Sequence, residues 1–256
     1  MRRRKRVRLS LKGWLLLVVW CIGGSLGVAH ANSEMEMVET GRLLATLLDA
    51  GRVTVGLNQG LLNDPSKGDK GFTPEVFETQ LVALYQERIG IDVSNIQDAP
   101  IPEMAKPLLT RLVEESKKTV ASYQTVINLK GVKYKGLIPA TFGTETAKRF
   151  QNWSRVYLKQ TAPDQFLRNP KNKADAFEQA AMQSFAPSDT HDPQALLSKT
   201  IPEEKAVRVM LPLYYEPACL HCHGGPKGER DISGYPKEGG KAGELAGAIS
   251  VKLPLP

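Results

Sequence analysis

Two cysteines separated by two residues, with a histidine directly after the second, constrain this chain more than any other feature. The segment reads Cys219-Leu220-His221-Cys222-His223, and Gly224-Gly225-Pro226 follows it. This spacing is the attachment signature of a c-type haem, in which each thiol bonds one vinyl group of the porphyrin. The adjoining histidine lies beneath the ring, where a neutral imidazole nitrogen binds the iron. The motif therefore predicts one covalent haem on Cys219 and Cys222, with His223 as the proximal iron ligand.

Two other kinds of site explain the segment less well. A thioredoxin-type pair opens a helix after a strand, whereas Gly224, Gly225 and Pro226 cannot begin a regular helix. A structural zinc site takes four Cys or His ligands, commonly as two separated pairs, and this sequence has no second pair. We therefore keep haem attachment as the interpretation.

The first 31 residues are organised like a cleaved export signal. Seven basic residues accompany an apolar stretch, Trp14 to Val28, and Ala29-His30-Ala31 offers small residues at the two positions that a signal peptidase reads. The alternative is a retained membrane anchor, but an apolar run of about 15 residues interrupted by glycines is short for a span. We expect a mature chain that begins at Asn32 and resides in the periplasm, outside the membrane.

Removing this signal changes the charge of the chain. It holds 7 of the 34 Lys and Arg residues and none of the 27 Asp and Glu, so the net charge of +7 belongs to the signal. The balanced remainder gives no support to nucleic-acid binding. Cys21 leaves with the signal, so no disulfide framework is expected and both motif thiols are available for haem.

Apolar spacing predicts helices early in the mature chain and strands later. Helices are expected at about 37–62 with a bend at Gly51 or Gly56, at 73–88 capped by Thr73, at 103–128, and at 144–153 and 173–185. Strands are expected at 133–142, 156–161, 206–215 and 245–253. Helices followed by strands are typical of an α+β fold. We predict one domain over 32–256, with a helical part at about 37–128 and a sheet-rich haem-binding part at about 129–256. Its antiparallel sheet should have four to five strands, with the long N-terminal helices beside it and the haem against the sheet.

Four stretches together resemble one family. They are LLNDPSKGDKGFTPEVF (61–77), INLKGVKYKGLIPATF (127–142), LRNPKNKADAFE (167–178) and CLHCHGGPKGERDISGYPKEGGKAGELAGAISV (219–251). Over nearly the whole mature chain they resemble the exported PAS-like domains that carry a single covalent c-type haem, catalogued as a domain of unknown function. Members are free-standing proteins or input domains of bacterial sensors. The resemblance implies a PAS-like sheet holding haem, a role in redox or ligand sensing or in electron transfer, and no established enzymatic activity.

The distal iron ligand is where this chain departs from the family. Some members offer a cysteine from the first long helix, but the matching stretch here reads Leu57-Asn58-Gln59, and amides are weak iron ligands. The distal position is open, bound by water, or closed by Asn58, by His191 in a polar loop, or by Met210 in a predicted strand. His221 points away from the iron. Isolated methionines are typical core filler, which makes the rest weaker candidates: Met35, Met37, Met104 and Met182.

Three further segments have possible haem contacts. Arg168 is predicted to neutralise a haem propionate through two parallel hydrogen bonds, with a simple turn before the 173–185 helix as the alternative. Lys133-Tyr134-Lys135 contacts propionates or faces solvent. Pro226 is predicted to fix the carbonyl that accepts the second ring proton of His223.

These features support two interpretations of function. In the first, the iron changes oxidation state or takes a small diatomic ligand, and the protein passes that change to a redox partner or a membrane signalling protein. Since no transmitter segment follows Pro256, a separate protein is expected to receive the signal. In the second, the protein is a periplasmic electron carrier. A haem enzyme such as a peroxidase is less favoured, because only His191 offers an acid/base group for an open iron.

Overall fold

The computed structural model describes residues 14–185 and 195–255, with side chains from Ser33 onward. Its first half is helical. The helices there are α1 (Trp14–Leu57), α2 (Gln59–Leu62), α3 (Pro74–Ile89), α4 (Ala105–Ser122), α5 (Gln124–Ile127) and α6 (Pro139–Trp153). No helix in these ranges is long and apolar enough to cross a membrane.

The long helices pack around one apolar core. Leu43, Leu44, Leu47 and Leu48 recur at helical spacing on α1 and are fully buried. Facing helices supply a second set of fully buried side chains to the same core: Phe77, Leu81 and Tyr85 from α3, Leu109 and Leu112 from α4, and Phe142 and Phe150 from α6. α1 is therefore the central element against which the other long helices pack.

The start of α3 agrees with the prediction, whereas the position of the bend in the first helix does not. Thr73 caps α3 by accepting a hydrogen bond from the Val76 N–H at 3.3 Å, and Pro74 occupies the first turn. The predicted bend in the first helix is present, but it lies at Asn58, after α1, and not at Gly51 or Gly56. α1 is continuous through both glycines, and a Cβ at Gly51 would lie 2.6 Å from the Phe142 ring of α6.

One predicted strand is wrong. Residues 133–142 form no strand: Ile138 is extended, and Pro139 then begins α6, five residues before the predicted helix start. Proline cannot donate to a strand ladder but fits the first turn of a helix, and this preference outweighs the β-branched content of the segment. A strand that the sequence did not indicate, β2 (Leu197–Ile201), lies at an edge of the sheet.

The sheet has four antiparallel strands. The other three are β1 (Tyr157–Thr161), β3 (Ala206–Tyr214) and β4 (Leu245–Pro254), all within one residue of the predicted bounds, and the order is β1-β4-β3-β2. This confirms the α+β class with four strands and long N-terminal helices, an arrangement compatible with the PAS-like architecture that the resemblance implies. The Cys-His motif lies in the β3–β4 connection, as predicted.

The two faces of the sheet differ because side chains alternate along a strand. Val207 and Val209 of β3, with Val251 of β4, belong to the large apolar core that includes α1. Arg208 and Met210 point to the opposite face, which is covered by α7 (Ala176–Ser184). The apolar face joins the sheet to the helical half, while the second face is partly charged.

Candidate haem attachment site

A single helical turn, α8 (Leu220–His223), presents the motif. It follows a 3-10 turn at Pro217–Cys219, in which the Cys219 N–H donates to the Glu216 carbonyl at 2.9 Å. Residues three and four apart share one face of a helix. The turn therefore sets Cys222 and His223 on the same side as Cys219, which is what attachment at two thiols and ligation by the next residue require.

Both thiols are free and partly buried. Burial raises the pKa of each thiol above its ordinary value. The charges of Arg52 and Asp49 on α1 act in opposite directions on the Cys219 pKa, and those of Arg168 and Asp231 do so at Cys222. Cys219 therefore lies towards α1, while Cys222 lies towards the loop that follows the motif.

His223 is held by a carboxylate and an aromatic ring. Its Nδ1 lies 3.0 Å from Oε2 of Glu238, and because a carboxylate only accepts, Nδ1 carries the proton. The Tyr215 ring stacks on the imidazole with centroids 5.2 Å apart. Burial, together with the nearby Arg168 charge, lowers the pKa of His223 below its usual 6.5, although Glu238 opposes this. The imidazole is therefore neutral at pH 7, with Nε2 as its lone-pair nitrogen, the form that binds metals.

Arg168 fixes the carboxylate that holds His223. Its Nη2 donates to Oε2 of Glu238 at 2.9 Å and to the Cys222 carbonyl at 2.8 Å, while Nε donates to Oε1 of Glu238. Nη1 donates to Asp231 Oδ2 at 2.6 Å. Burial tends to raise the Glu238 pKa, but the hydrogen bonds and charge of Arg168 outweigh it and lower that pKa. Glu238 is therefore ionised and held in one position.

The loop after the motif folds back over this cluster. The Gly240 N–H donates to the His223 carbonyl at 2.7 Å, and a Cβ at position 240 would lie 2.7 Å from Cε2 of Tyr215. Phe166 packs edge-on against Tyr215 at 5.6 Å between ring centroids. Glycine at this position lets the backbone approach the ring that supports the imidazole.

The donor set at the motif fits a covalent haem. Two free thiols and a neutral imidazole lie within five consecutive residues, which is the pattern that haem attachment requires. Nε of Arg52 and Oε1 of Gln160 are two of the four buried side-chain polar atoms that have no hydrogen-bond partner among the described residues, and the Arg52 charge reaches Cys219.

The described contacts do not bring Asn58 or Met210 to His223. The Asn58 amide donates to the Thr54 carbonyl at 2.8 Å and to Oε1 of Gln80 on α3 at 2.7 Å. Met210 is fully buried in the apolar cluster beneath α7. His191 lies outside the described residues, so it stays a prediction together with an open or water-bound distal position.

Other sequence candidates are accounted for by local contacts. Nδ1 of the exposed His221 donates to the Ala218 carbonyl at 3.1 Å. Met37 and Met182 are core residues, whereas Met35 and Met104 are exposed. The Arg168 guanidinium donates to Glu238, Asp231 and the Cys222 carbonyl, and its contact with a haem propionate stays a prediction.

Glu238 is the functional residue that sequence reasoning missed. The prediction of a carbonyl fixed by Pro226 as the acceptor for the second ring proton is wrong, because Nδ1 meets the Glu238 carboxylate. Glu238 lies fifteen residues beyond His223 in a Gly- and Pro-rich connection. No local pattern pairs the two, and only the folding of the loop brings them together.

Comparison with known proteins places this geometry in a family. No curated protein matches the chain. Among solved structures, the crystal structure of the cyanobacterial heme-protein Tll0287 is 20% identical, covers 60% of this chain and 96% of that chain, and superposes with a TM-score of 0.40. The family model Tll0287-like matches residues 34–254, which is nearly all of the chain after the predicted signal. The chain therefore belongs to the Tll0287-like family.

Proposed function

We propose that this protein is an exported monohaem c-type cytochrome of the periplasm that senses redox state or a small diatomic ligand. One observation carries the proposal: two free thiols and a neutral histidine share one helical turn, and a clamped carboxylate holds the Nδ1 proton of that histidine. The family match supports haem as the cofactor, since Tll0287 itself is a cyanobacterial heme-protein.

Each residue of the site has a defined task in this proposal. When bound, the haem would supply a one-electron couple and a metal that can take a small ligand. Cys219 and Cys222 would hold it covalently, and Nε2 of His223 would bind the iron. Glu238 and Tyr215 fix the tautomer and the orientation of the imidazole.

Electron transfer is the second candidate. The loop around His223 is restrained by the Arg168 contacts and by the hydrogen bond from Gly240 to the His223 carbonyl. A site that moves little between oxidation states suits a carrier, whereas a sensor needs an exchangeable ligand or a redox-linked shift.

Covalent attachment is tested by producing the chain with a c-type haem maturation system. We expect pigment that acidic acetone does not extract, and loss of pigment in Cys219→Ser/Cys222→Ser. His223→Ala should change the ferric and ferrous spectra. The matched control His221→Ala changes an exposed histidine two residues earlier and should not. Colourless wild-type protein, or pigment that acidic acetone removes, would refute the proposal.

Spectra of the ferrous protein with and without CO or NO separate sensing from electron transfer. A changed spectrum supports an exchangeable distal site. An unchanged spectrum counts against gas sensing and favours the carrier. Export is tested separately by N-terminal sequencing of the periplasmic protein, which should begin at Asn32.

A further inference from the structure

We propose that Glu238 lowers the reduction potential of the iron by accepting a hydrogen bond from Nδ1–H of His223. This hydrogen bond thereby stabilises the ferric state. The inference rests on the proposed haem ligation and assigns to Glu238 a positioning role that goes beyond attachment. It starts from the 3.0 Å contact between Nδ1 of His223 and Oε2 of Glu238.

The direction of the effect follows from the hydrogen bond. A carboxylate that accepts from the far nitrogen of a metal-bound imidazole makes the near nitrogen more basic. A hydrogen bond to an ionised acceptor is roughly twice as strong as one to a neutral carbonyl. A more basic ligand stabilises the higher oxidation state of iron, so the reduction potential falls.

The geometry keeps Glu238 in this role. Arg168 donates to both of its carboxylate oxygens, and the Glu238 side chain is 12% exposed. The stacked Tyr215 ring opposes rotation of the imidazole. The carboxylate cannot turn to solvent without breaking its contacts with both Arg168 and His223.

Asp231 provides a matched comparison within the same cluster. It also pairs with Arg168, at 2.6 Å, and its side chain is 1% exposed, but the hydrogen bonds that its carboxylate accepts within the described part of the chain come from Arg168, Ser233 and Tyr235 and not from the His223 ring. Removing either carboxylate removes one negative charge that faces the same guanidinium. Only the change at Glu238 also removes the charged acceptor from Nδ1.

The experiment is potentiometric titration of the haem-loaded protein and two variants, Glu238→Gln and Asp231→Asn. We expect Glu238→Gln to favour reduction by at least about tenfold, which is about 59 mV for one electron. Asp231→Asn should shift the potential in the same direction by less than half as much. Glu229→Gln, which changes an exposed carboxylate that pairs with Lys237 in the same loop, should leave the potential unchanged.

Equal shifts of the reduction potential in Glu238→Gln and Asp231→Asn would overturn the inference, because the loss of charge alone would then explain them. An unchanged potential in Glu238→Gln would overturn it as well. Should that variant fail to retain haem, Glu238→Asp keeps the charge but withdraws the acceptor by one methylene. Its potential should rise, and a potential equal to wild type would overturn the inference. Wild-type protein without covalent haem would instead refute the proposed function.

Discussion

Two arginines organise opposite parts of this protein, and each pairs with more than one carboxylate. Arg168 joins Glu238 and Asp231 around the motif loop. Arg208, on β3, reaches Asp175 at 2.8 Å and Glu178 at 3.4 Å and so joins the sheet to α7. Only the Arg168 cluster includes a histidine that can bind metal. The comparison separates a cluster that joins regular elements from one that holds a candidate metal ligand.

The predicted effects of substitution differ accordingly. Loss of Arg208 should reduce stability without touching the haem signature. Loss of Arg168 should change both. Substitutions at four positions test this difference, and Arg208→Met is expected to lower stability the most.

Arg208→Met should lower the free energy of unfolding by about 3 kcal/mol, because it leaves the fully buried Glu178 with Lys159 as its remaining cation. Thermal or urea unfolding measures this, and the haem spectrum should match wild type. As a control, Lys252→Met removes a partly exposed partner of Glu204 and should cost less than about 1 kcal/mol. Equal losses in the two variants would contradict the role given to Arg208.

Arg168→Ala should cost about 2 kcal/mol, because it leaves Glu238 and Asp231 buried without their cation. It should also alter the visible spectrum, since Glu238 is then free to move from His223. Arg230→Ala, which removes an exposed contact to the Gly234 carbonyl, is the control for the loop and should preserve both properties. A wild-type spectrum in Arg168→Ala would separate Arg168 from ligand positioning.

Gly240→Ala tests packing at the same site without removing charge. The new Cβ would lie 2.7 Å from Cε2 of Tyr215, so the ring must shift, at a cost of about 1–2 kcal/mol. Because Tyr215 stacks on His223, the spectrum should broaden or shift. Gly60→Ala, where nothing lies within 4 Å, should be neutral or slightly stabilising. Unchanged stability in Gly240→Ala would argue against the tight contact.

The smallest effect should be a pH dependence at the N-terminus of α7. Burial tends to raise the Asp175 pKa, but the Glu178 N–H and Arg208 outweigh it and hold that pKa below its usual 3.8. The ionised carboxylate therefore contributes stability above its ordinary pKa, and this is lost as the pH falls through the lower folded value. Asp175→Asn should be about 0.5–1 kcal/mol less stable at pH 6, and the difference should shrink below about pH 3. A difference that grows on acidification would reverse the assigned sign.

Local chemistry in the sequence predicted much of this fold. The cap at Thr73 and the first-turn Pro74 define where α3 begins, and β-branched or aromatic residues bounded by Gly and Pro predict the two long strands. The helix start at Pro139 was misread because the segment before it is rich in strand-forming residues. β2 was missed because its burial is only partial, as is usual for an edge strand.

The candidate site was predictable only where its residues are adjacent in sequence. Cys219, Cys222 and His223 follow from spacing alone. The pairing of Arg168 with Glu238 does not, because Arg168 precedes Glu238 by 70 residues and meets it only in the folded chain. An arginine in a turn and a glutamate in a glycine-rich loop carry no joint signal.

The strand order has a consequence for maturation. β4 follows the other described strands in the chain, yet it lies in the interior of the sheet, between β1 and β3. Until it inserts, β1 has no neighbour to pair with and the segment bearing Cys219 is tethered at one end only. If haem is attached as proposed, the two thiols are therefore less restricted before β4 pairs with β1 and β3 than after the sheet is complete.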